Sequence, residues 1–260
     1  MKTSFLLGAL GIGAALSATL LSSREQKPQS PDPPTRMAAK QRDVPRQTAP
    51  PWTGSVDIFE EKDRDQTLQI QSVMDDLKLQ RGSTVADIGA GGGWFSVRAA
   101  RRVAPGTVYA NEISSRYTQF IKERASREKL PNIVAVLGTP DDPKLPRNSC
   151  DAVLILNAYH EFAKPLTMLR YLSDAMKPGA RLGFIERDDD AVRRDARQAY
   201  AQTGQVLRRV SEKSDGKEFT DDHRLAREIV WREAIQAGFR IEKTRELGGD
   251  NYFVVAVKPK

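Results

Sequence analysis

Residues 85–95 read Val-Ala-Asp-Ile-Gly-Ala-Gly-Gly-Gly-Trp-Phe, a short apolar run that ends in a glycine turn and leads into a helical segment. Glycines at 89, 91 and 93 let the backbone turn tightly and let a ligand approach with no Cβ in the way. The helix that follows presents unpaired N–H groups. Asp87 stands two residues before Gly89, and Glu112 closes the next apolar run, Val-Tyr-Ala-Asn-Glu. A carboxylate at the end of a second strand, about twenty residues after such a loop, can accept both ribose hydroxyls of a nucleoside cofactor. A dinucleotide site and a nucleoside-only site are both compatible with this pattern. The plain alternatives are a flexible turn for the glycines and a solvated helix cap for Glu112. Further along, His160 and Glu161 follow a fourth apolar run, and Glu186 and Arg187 follow a fifth. Histidine and carboxylate groups there could move a proton, with His160 the preferred base. Otherwise His160 packs at its loop, and Glu186 and Arg187 form a structural pair.

Five apolar segments, 84–88, 107–111, 133–137, 152–156 and 181–186, alternate with helical stretches at 95–102, 115–128 and 165–176. Strands without a period-2 polar face imply a parallel sheet covered on both sides, the doubly wound α/β arrangement. Ligands bind such sheets at the carboxyl edge of the strands, where all the residues named above fall. Segments 239–246 and 252–258 flank Leu-Gly-Gly-Asp-Asn and read as an antiparallel hairpin closing the sheet. Before the first strand, 58–79 carries scattered apolar residues that fit a helical approach. Residues 188–222, a charged helical stretch opening on three aspartates and running to about 209, then a polar turn at 211–217, are with 52–64 candidate lids. His223, Arg224 and Trp231 fall on a last helix, where Trp231 and Ile235 read as core. Cys150 reads as a small packing residue.

Of the 260 residues, 5–21 form an apolar stretch preceded by Lys2, a signal peptide or membrane anchor. Its cleavage site is poor, since Leu20 and Leu21 stand where small residues are wanted. With Arg24, Lys27, Arg36, Lys40, Arg42 and Arg46 following it, the positive-inside rule leaves the folded domain facing the cytoplasm. Export behind a cleaved signal and a start at Met37 stay open. Residues 24–51, rich in Pro, Gln and Ser, read as a disordered linker, and 52–260 as the folded domain. The net charge of +7 does not describe that domain. Residues 1–50 hold seven basic against three acidic residues, leaving 34 against 31 beyond them, too mixed for a nucleic-acid surface. One cysteine excludes an internal disulfide framework and a multi-cysteine zinc site, two histidines argue against a histidine-rich metal centre, and no metal ligand is expected.

The order and spacing of these motifs resemble the class I S-adenosylmethionine-dependent methyltransferases, in particular the ubiquinone/menaquinone C-methyltransferase-like small-molecule branch. The likeness spans about 58–258. It rests on Val-Ala-Asp-Ile-Gly-Ala-Gly-Gly-Gly, Glu112, Leu-Gly-Thr-Pro-Asp-Asp-Pro-Lys-Leu-Pro at 137–146, Asp-Ala-Val-Leu-Ile-Leu-Asn-Ala-Tyr-His-Glu-Phe at 151–162, Met-Lys-Pro-Gly-Ala-Arg-Leu at 176–182 and Ala-Gly-Phe at 237–239. It implies a Rossmann-like methyltransferase fold with S-adenosyl-L-methionine as cofactor. Asp87, Gly89 and Gly91 then belong to the loop on the methionine part, and Glu112 takes the ribose. Thr139, where many relatives carry an acid, and Asp141 lie on the adenine side, and Asn157 faces the sulfonium. Gly92 stands where Thr or Ser is frequent. The implied acceptor is a small or lipid-like molecule, with His160, Glu161 and Glu186 as candidate catalytic groups and possible membrane attachment through 5–21.

Two rivals remain. An NAD-dependent oxidoreductase calls for Gly or Ala at position 94, where this chain has Trp94. A non-catalytic binding or scaffold protein would keep the fold with a vestigial site.

Overall fold

The structure, a computed structural model, describes residues 54–203, 213–214, 217–218 and 223–260, with positions 45 and 48. The expected anchor at 5–21 lies outside the described residues, as does nearly all of the expected linker. Among the described residues no helix is long and apolar enough to cross a membrane.

The chain enters through a 3-10 turn at Val56–Phe59, then α1 (Arg64–Thr67) and α2 (Ile70–Asp76). The expected continuous helix over 58–79 is therefore broken. Residues 60–67 contain no apolar side chain, so no stripe binds that stretch to the core, and Gln69 adopts φ 48° between α1 and α2. From Ile70 the spacing becomes helical, and Ile70, Val73 and Met74 are buried.

Strands and helices then alternate: β1 (Val85–Ile88), α3 (Trp94–Val103), β2 (Val108–Glu112), α4 (Ser115–Arg127), β3 (Ile133–Leu137), β4 (Cys150–Leu156), α5 (Pro165–Ala175) and β5 (Met176–Arg187). After them come α6 (Asp190–Thr203), a two-residue pair β6 (Lys213–Ser214) and β7 (Lys217–Glu218), α7 (Arg227–Gln236), β8 (Arg240–Glu246) and β9 (Asn251–Val257). The main sheet has the order β3-β2-β1-β4-β5-β9-β8. Its first five strands are parallel, and β9 and β8 run antiparallel to their neighbours. This is the doubly wound, mostly parallel sheet with an antiparallel end that the sequence predicts.

Strand β5 begins earlier than expected, at Met176. Pro178 cannot continue α5, and Met176 pairs with Cys150 across a bulge. Both faces of the sheet are covered. Met168, Leu169, Leu172, Val230 and Trp231 pack on one, and Ile70, Met74, Phe95, Ala99 and Val103 on the other. Cys150 and Trp231 are buried, as expected. Phe184 and Phe253, on neighbouring strands, are fully buried, and truncating either to alanine costs about 3–5 kcal/mol.

Candidate active site

The strand order reverses between β1 and β4, which both pair parallel but lead away in opposite directions. A crevice at such a switch point is where open α/β sheets bind ligands. The glycine loop leaves β1 at this place, and Asn157 leaves β4 beside it.

Gly89, Gly91 and Gly93 have φ of 70°, 53° and 75°, the left-handed region that side chains rarely enter. Gly89 is required twice over, since a Cβ there would lie 2.6 Å from Ala158 Cβ. A Cβ on Gly92 would come within 2.9 Å of Val56 Cβ, which accounts for glycine at that position. The loop is tied to β2 by the Ala90 N–H, which donates to Asn111 O at 2.9 Å.

Glu112 is 8% exposed. One carboxylate oxygen accepts the Ile113 and Ser114 amides at 2.8 and 3.1 Å, and the other accepts the Gly91 N–H at 2.9 Å. The last strand residue is thus fastened to the loop. Asp87 lies beneath the loop, where its Oδ2 accepts from Ser96 Oγ of α3 at 2.6 Å. Burial pushes the Asp87 carboxyl up to about 6, against the opposing effect of the Ser96 bonds.

The Gly91–Gly92 side is covered by the entering segment. Tyr117 Oη donates to Gly54 O at 2.8 Å, and Phe59 lies 3.7 Å from where a Gly91 Cβ would stand. Arg124 bonds both Glu60 and Gly92 O. Trp94 is buried with the Arg98 and Arg64 guanidinium groups 3.9 and 4.5 Å from its ring centre. Of the two lid candidates, this segment meets the loop. The other, 188–222, is described only through Thr203 and at 213–214 and 217–218.

Thr139 is exposed and closes a tight turn with Asp142, whose N–H donates to its hydroxyl at 3.1 Å. Asp141 pairs with Lys164 Nζ at 2.6 Å, joining this turn to the start of α5. Asn111 was not picked out from the sequence. Its buried Nδ2 donates to Pro143 O at 2.9 Å and anchors the same turn to β2. A polar side chain just before the closing Glu112, after the apolar Val-Tyr-Ala run, was the available signal.

Asn157 has φ 50°, and its buried Oδ1 has no hydrogen-bond partner among the described residues. Such an orphaned acceptor is costly unless a ligand satisfies it. With the glycine cradle and the fixed Glu112 carboxylate, it fits a nucleoside cofactor whose cationic end lies near β4. A separate opening of about 350 Å³ lies between Val56 and α4, lined by neither the loop glycines nor Asp87, Glu112 or Asn157.

Beyond Asn157 the three expected catalytic groups come together. Glu186 is fully buried. One of its oxygens accepts the Tyr159 and His160 amides at 2.6 and 3.3 Å, and the other accepts His160 Nδ1–H at 2.8 Å. The expected structural pair of Glu186 with Arg187 is not formed: Arg187 faces Asp250 at 3.9 Å. Neighbouring strand residues project to opposite faces of a sheet, so the two could not share a partner. Glu161 is half-buried with an oxygen 3.9 Å from His160 Nε2. Burial raises its pKa and His160 opposes the shift, while Glu186 and Glu112 add to it.

His223 and Arg224 lie ahead of α7, not on it as expected. Arg224 forms a backbone bridge with Arg187, and Leu225 N–H donates to Arg187 O at 2.8 Å. Arg224 also holds Asp189 and Asp250, each at 2.8 Å. These contacts place His223 Nδ1 3.2 Å from His160 Nε2.

Residues 85–179 match a family described as a methyltransferase domain. Protein-L-isoaspartate O-methyltransferase of Pyrococcus horikoshii is 28% identical over 104 residues, 40% of this chain and 44% of that protein. An uncharacterised methyltransferase of Mycobacterium tuberculosis is 33% identical over 101 residues, 39% of this chain and 38% of that protein. The chain thus spans less than half the length of these curated relatives. A crystal structure of an S-adenosylmethionine-dependent methyltransferase from Aquifex aeolicus superposes with a TM-score of 0.63 at 22% identity, covering 77% of this chain and 95% of that one. The [4+2]-cyclase SpnF superposes at 0.57 and 14% identity, covering 74% and 80%. The fold is the Rossmann-like methyltransferase fold.

Proposed function

We propose that the chain is an S-adenosyl-L-methionine-dependent methyltransferase acting on a small-molecule or lipid-like acceptor. The observation that carries this reading is the bond from Gly91 N–H to Glu112 at the topological switch, beside the orphaned Asn157 Oδ1. The methyltransferase-domain match over 85–179 supports it. Glu112 would hold the ribose hydroxyls, the glycine loop the methionine part, and Asn157 Oδ1 the cationic end. When bound, the cofactor supplies an activated methyl group, so the protein's task is to place a nucleophile in line and exclude water.

The protein's own groups serve that task. The Val56–Phe59 turn packs against the Gly91–Gly92 side of the loop. Glu186 accepts the His160 Nδ1 proton, so Nε2, which lies 3.2 Å from His223 Nδ1, is the ring nitrogen proposed to exchange a proton with the acceptor. Glu161, its carboxyl raised chiefly by burial, feels the charges of His160, Glu186 and Glu112. The likeness to the ubiquinone/menaquinone branch motivates the small or lipid-like acceptor. Residues 5–21 are proposed to tether the domain to the cytoplasmic face, tested by which side of the membrane a C-terminal reporter occupies.

The test is turnover. Purified full-length chain, a methyl-labelled cofactor and a metabolite extract should yield an acceptor heavier by one methylene, and His160→Ala should abolish that product. Cofactor binding with no labelled product from any extract would favour the non-catalytic scaffold reading.

A further inference from the structure

The two histidines of this chain, 63 residues apart, meet at one point. We propose that His160 Nε2, His223 Nδ1 and a Glu161 carboxylate oxygen bind one divalent transition-metal ion at the carboxyl edge of the sheet. The three donor atoms lie within 4.8 Å of one another. The two nitrogens are 3.2 Å apart. If each lay about 2.0–2.1 Å from a common ion, the angle between them would be about 100°, between the tetrahedral and octahedral values. The Glu161 oxygen, 3.9 Å from His160 Nε2, needs only a side-chain shift of less than about 1 Å to join them. Two imidazoles and a carboxylate are a donor set for zinc or iron(II), not for calcium or magnesium.

The support around the donors is that of a ligand site. A metal-bound histidine almost always donates its other N–H to a carboxylate, which orients the ring and raises its basicity. Glu186 does this for His160 from a fully buried position and is itself held by two backbone amides. His223 is kept in place by the Arg187–Arg224 bridge and the two ion pairs of Arg224. Three protein donors fill only part of a four- to six-coordinate shell, the pattern of catalytic sites. On the methyltransferase reading, which this role rests on, the ion replaces His160 as the activating group: Nε2 is then a ligand and not the proton acceptor, and the acceptor's hydroxyl or thiol is a further ligand. The coordinated group then loses its proton to water at neutral pH, with no change in oxidation state.

The test uses full-length protein stripped with a chelator, then titrated with zinc and with cobalt(II) as a spectroscopic probe. We expect one saturating equivalent. His223→Ala, an exposed position whose folding is checked by thermal melting, should weaken binding at least tenfold, and Cys150→Ala should leave it unchanged. Glu186→Gln should weaken it about 10–100-fold. No saturable binding of zinc, cobalt, iron(II) or manganese, or binding that His223→Ala leaves unchanged, would overturn the proposal and reduce the histidine contact to a hydrogen bond. Calorimetry with S-adenosylhomocysteine on the His223→Ala protein keeps the two readings apart. Retained cofactor binding with lost metal binding in that variant supports the site, whereas metal binding by the parent protein with no S-adenosylhomocysteine binding counts against the methyltransferase reading alone.

Discussion

The Gly91 amide donates to Glu112 Oε2 at 2.9 Å across 21 residues of chain. The carboxylate that closes β2 and the backbone of the loop after β1 are therefore one unit, held in position by the fold. Glu112→Gln can keep an acceptor for Gly91 but then turns an NH2 toward the Ile113 and Ser114 amides, and it removes the charge that strengthens bonds to hydroxyls. It should weaken S-adenosylhomocysteine binding by about tenfold or more, since hydrogen bonds to charged groups contribute about 1.5–3 kcal/mol. Calorimetry on the two proteins reads this directly.

The glycines of the loop should differ in sensitivity. At Gly89 a side chain is opposed both by φ 70° and by Ala158 at 2.6 Å, whereas at Gly91 φ is 53° and the nearest atom, from Phe59, is at 3.7 Å. Gly91→Ala should cost about 1 kcal/mol of stability, the cost of a strained backbone alone, and Gly89→Ala about 2–3 kcal/mol. Urea denaturation that ranks them in the opposite order would contradict the packing described.

Asp87 makes a pH prediction. Its carboxyl titrates at about 6 in the folded chain against an ordinary 3.8, because burial disfavours the charged form. The folded state therefore holds this proton between about pH 4 and 6 while the unfolded state has lost it, so stability falls as pH rises through that window. The full loss is about 3 kcal/mol at neutral pH. Asp87→Asn, still able to accept from Ser96, should remove it. Its stability relative to the parent should be higher at pH 8 than at pH 4 by about that amount in urea melts.

Glu186 is predicted to be costly to remove. Glu186→Ala strips a partner from His160 Nδ1 and from two buried amides, at about 3 kcal/mol or more, since each orphaned group costs about 1–3 kcal/mol. Thermal melting checks this. A melting temperature equal to that of the parent would mean that the carboxylate does not hold His160.

Much of this was legible in the chain itself. Strands β1, β2 and β4 announce themselves because strands buried on both faces read as nearly unbroken apolar runs, while the edge strand β3 is apolar in sequence although none of its residues is buried. The glycine loop and Glu112 were legible because their chemistry needs particular residue types at a set spacing. The break before Ile70 could have been seen in the eight residues without an apolar side chain. The alternation of a strand could likewise have separated Glu186 from Arg187. What could not be read was His223 beside His160. That meeting depends on a backbone bridge from Arg224 to Arg187 and on ion pairs across three loops, and no local pattern encodes contacts made over such distances in sequence.

The most direct measurement is calorimetry of the purified full-length chain with S-adenosylhomocysteine and, separately, with NAD. Saturable one-to-one binding of the nucleoside, weakened by Glu112→Gln, with no heat from NAD, is the predicted result. Heat from NAD with none from S-adenosylhomocysteine would contradict the account and return the glycine loop to a dinucleotide.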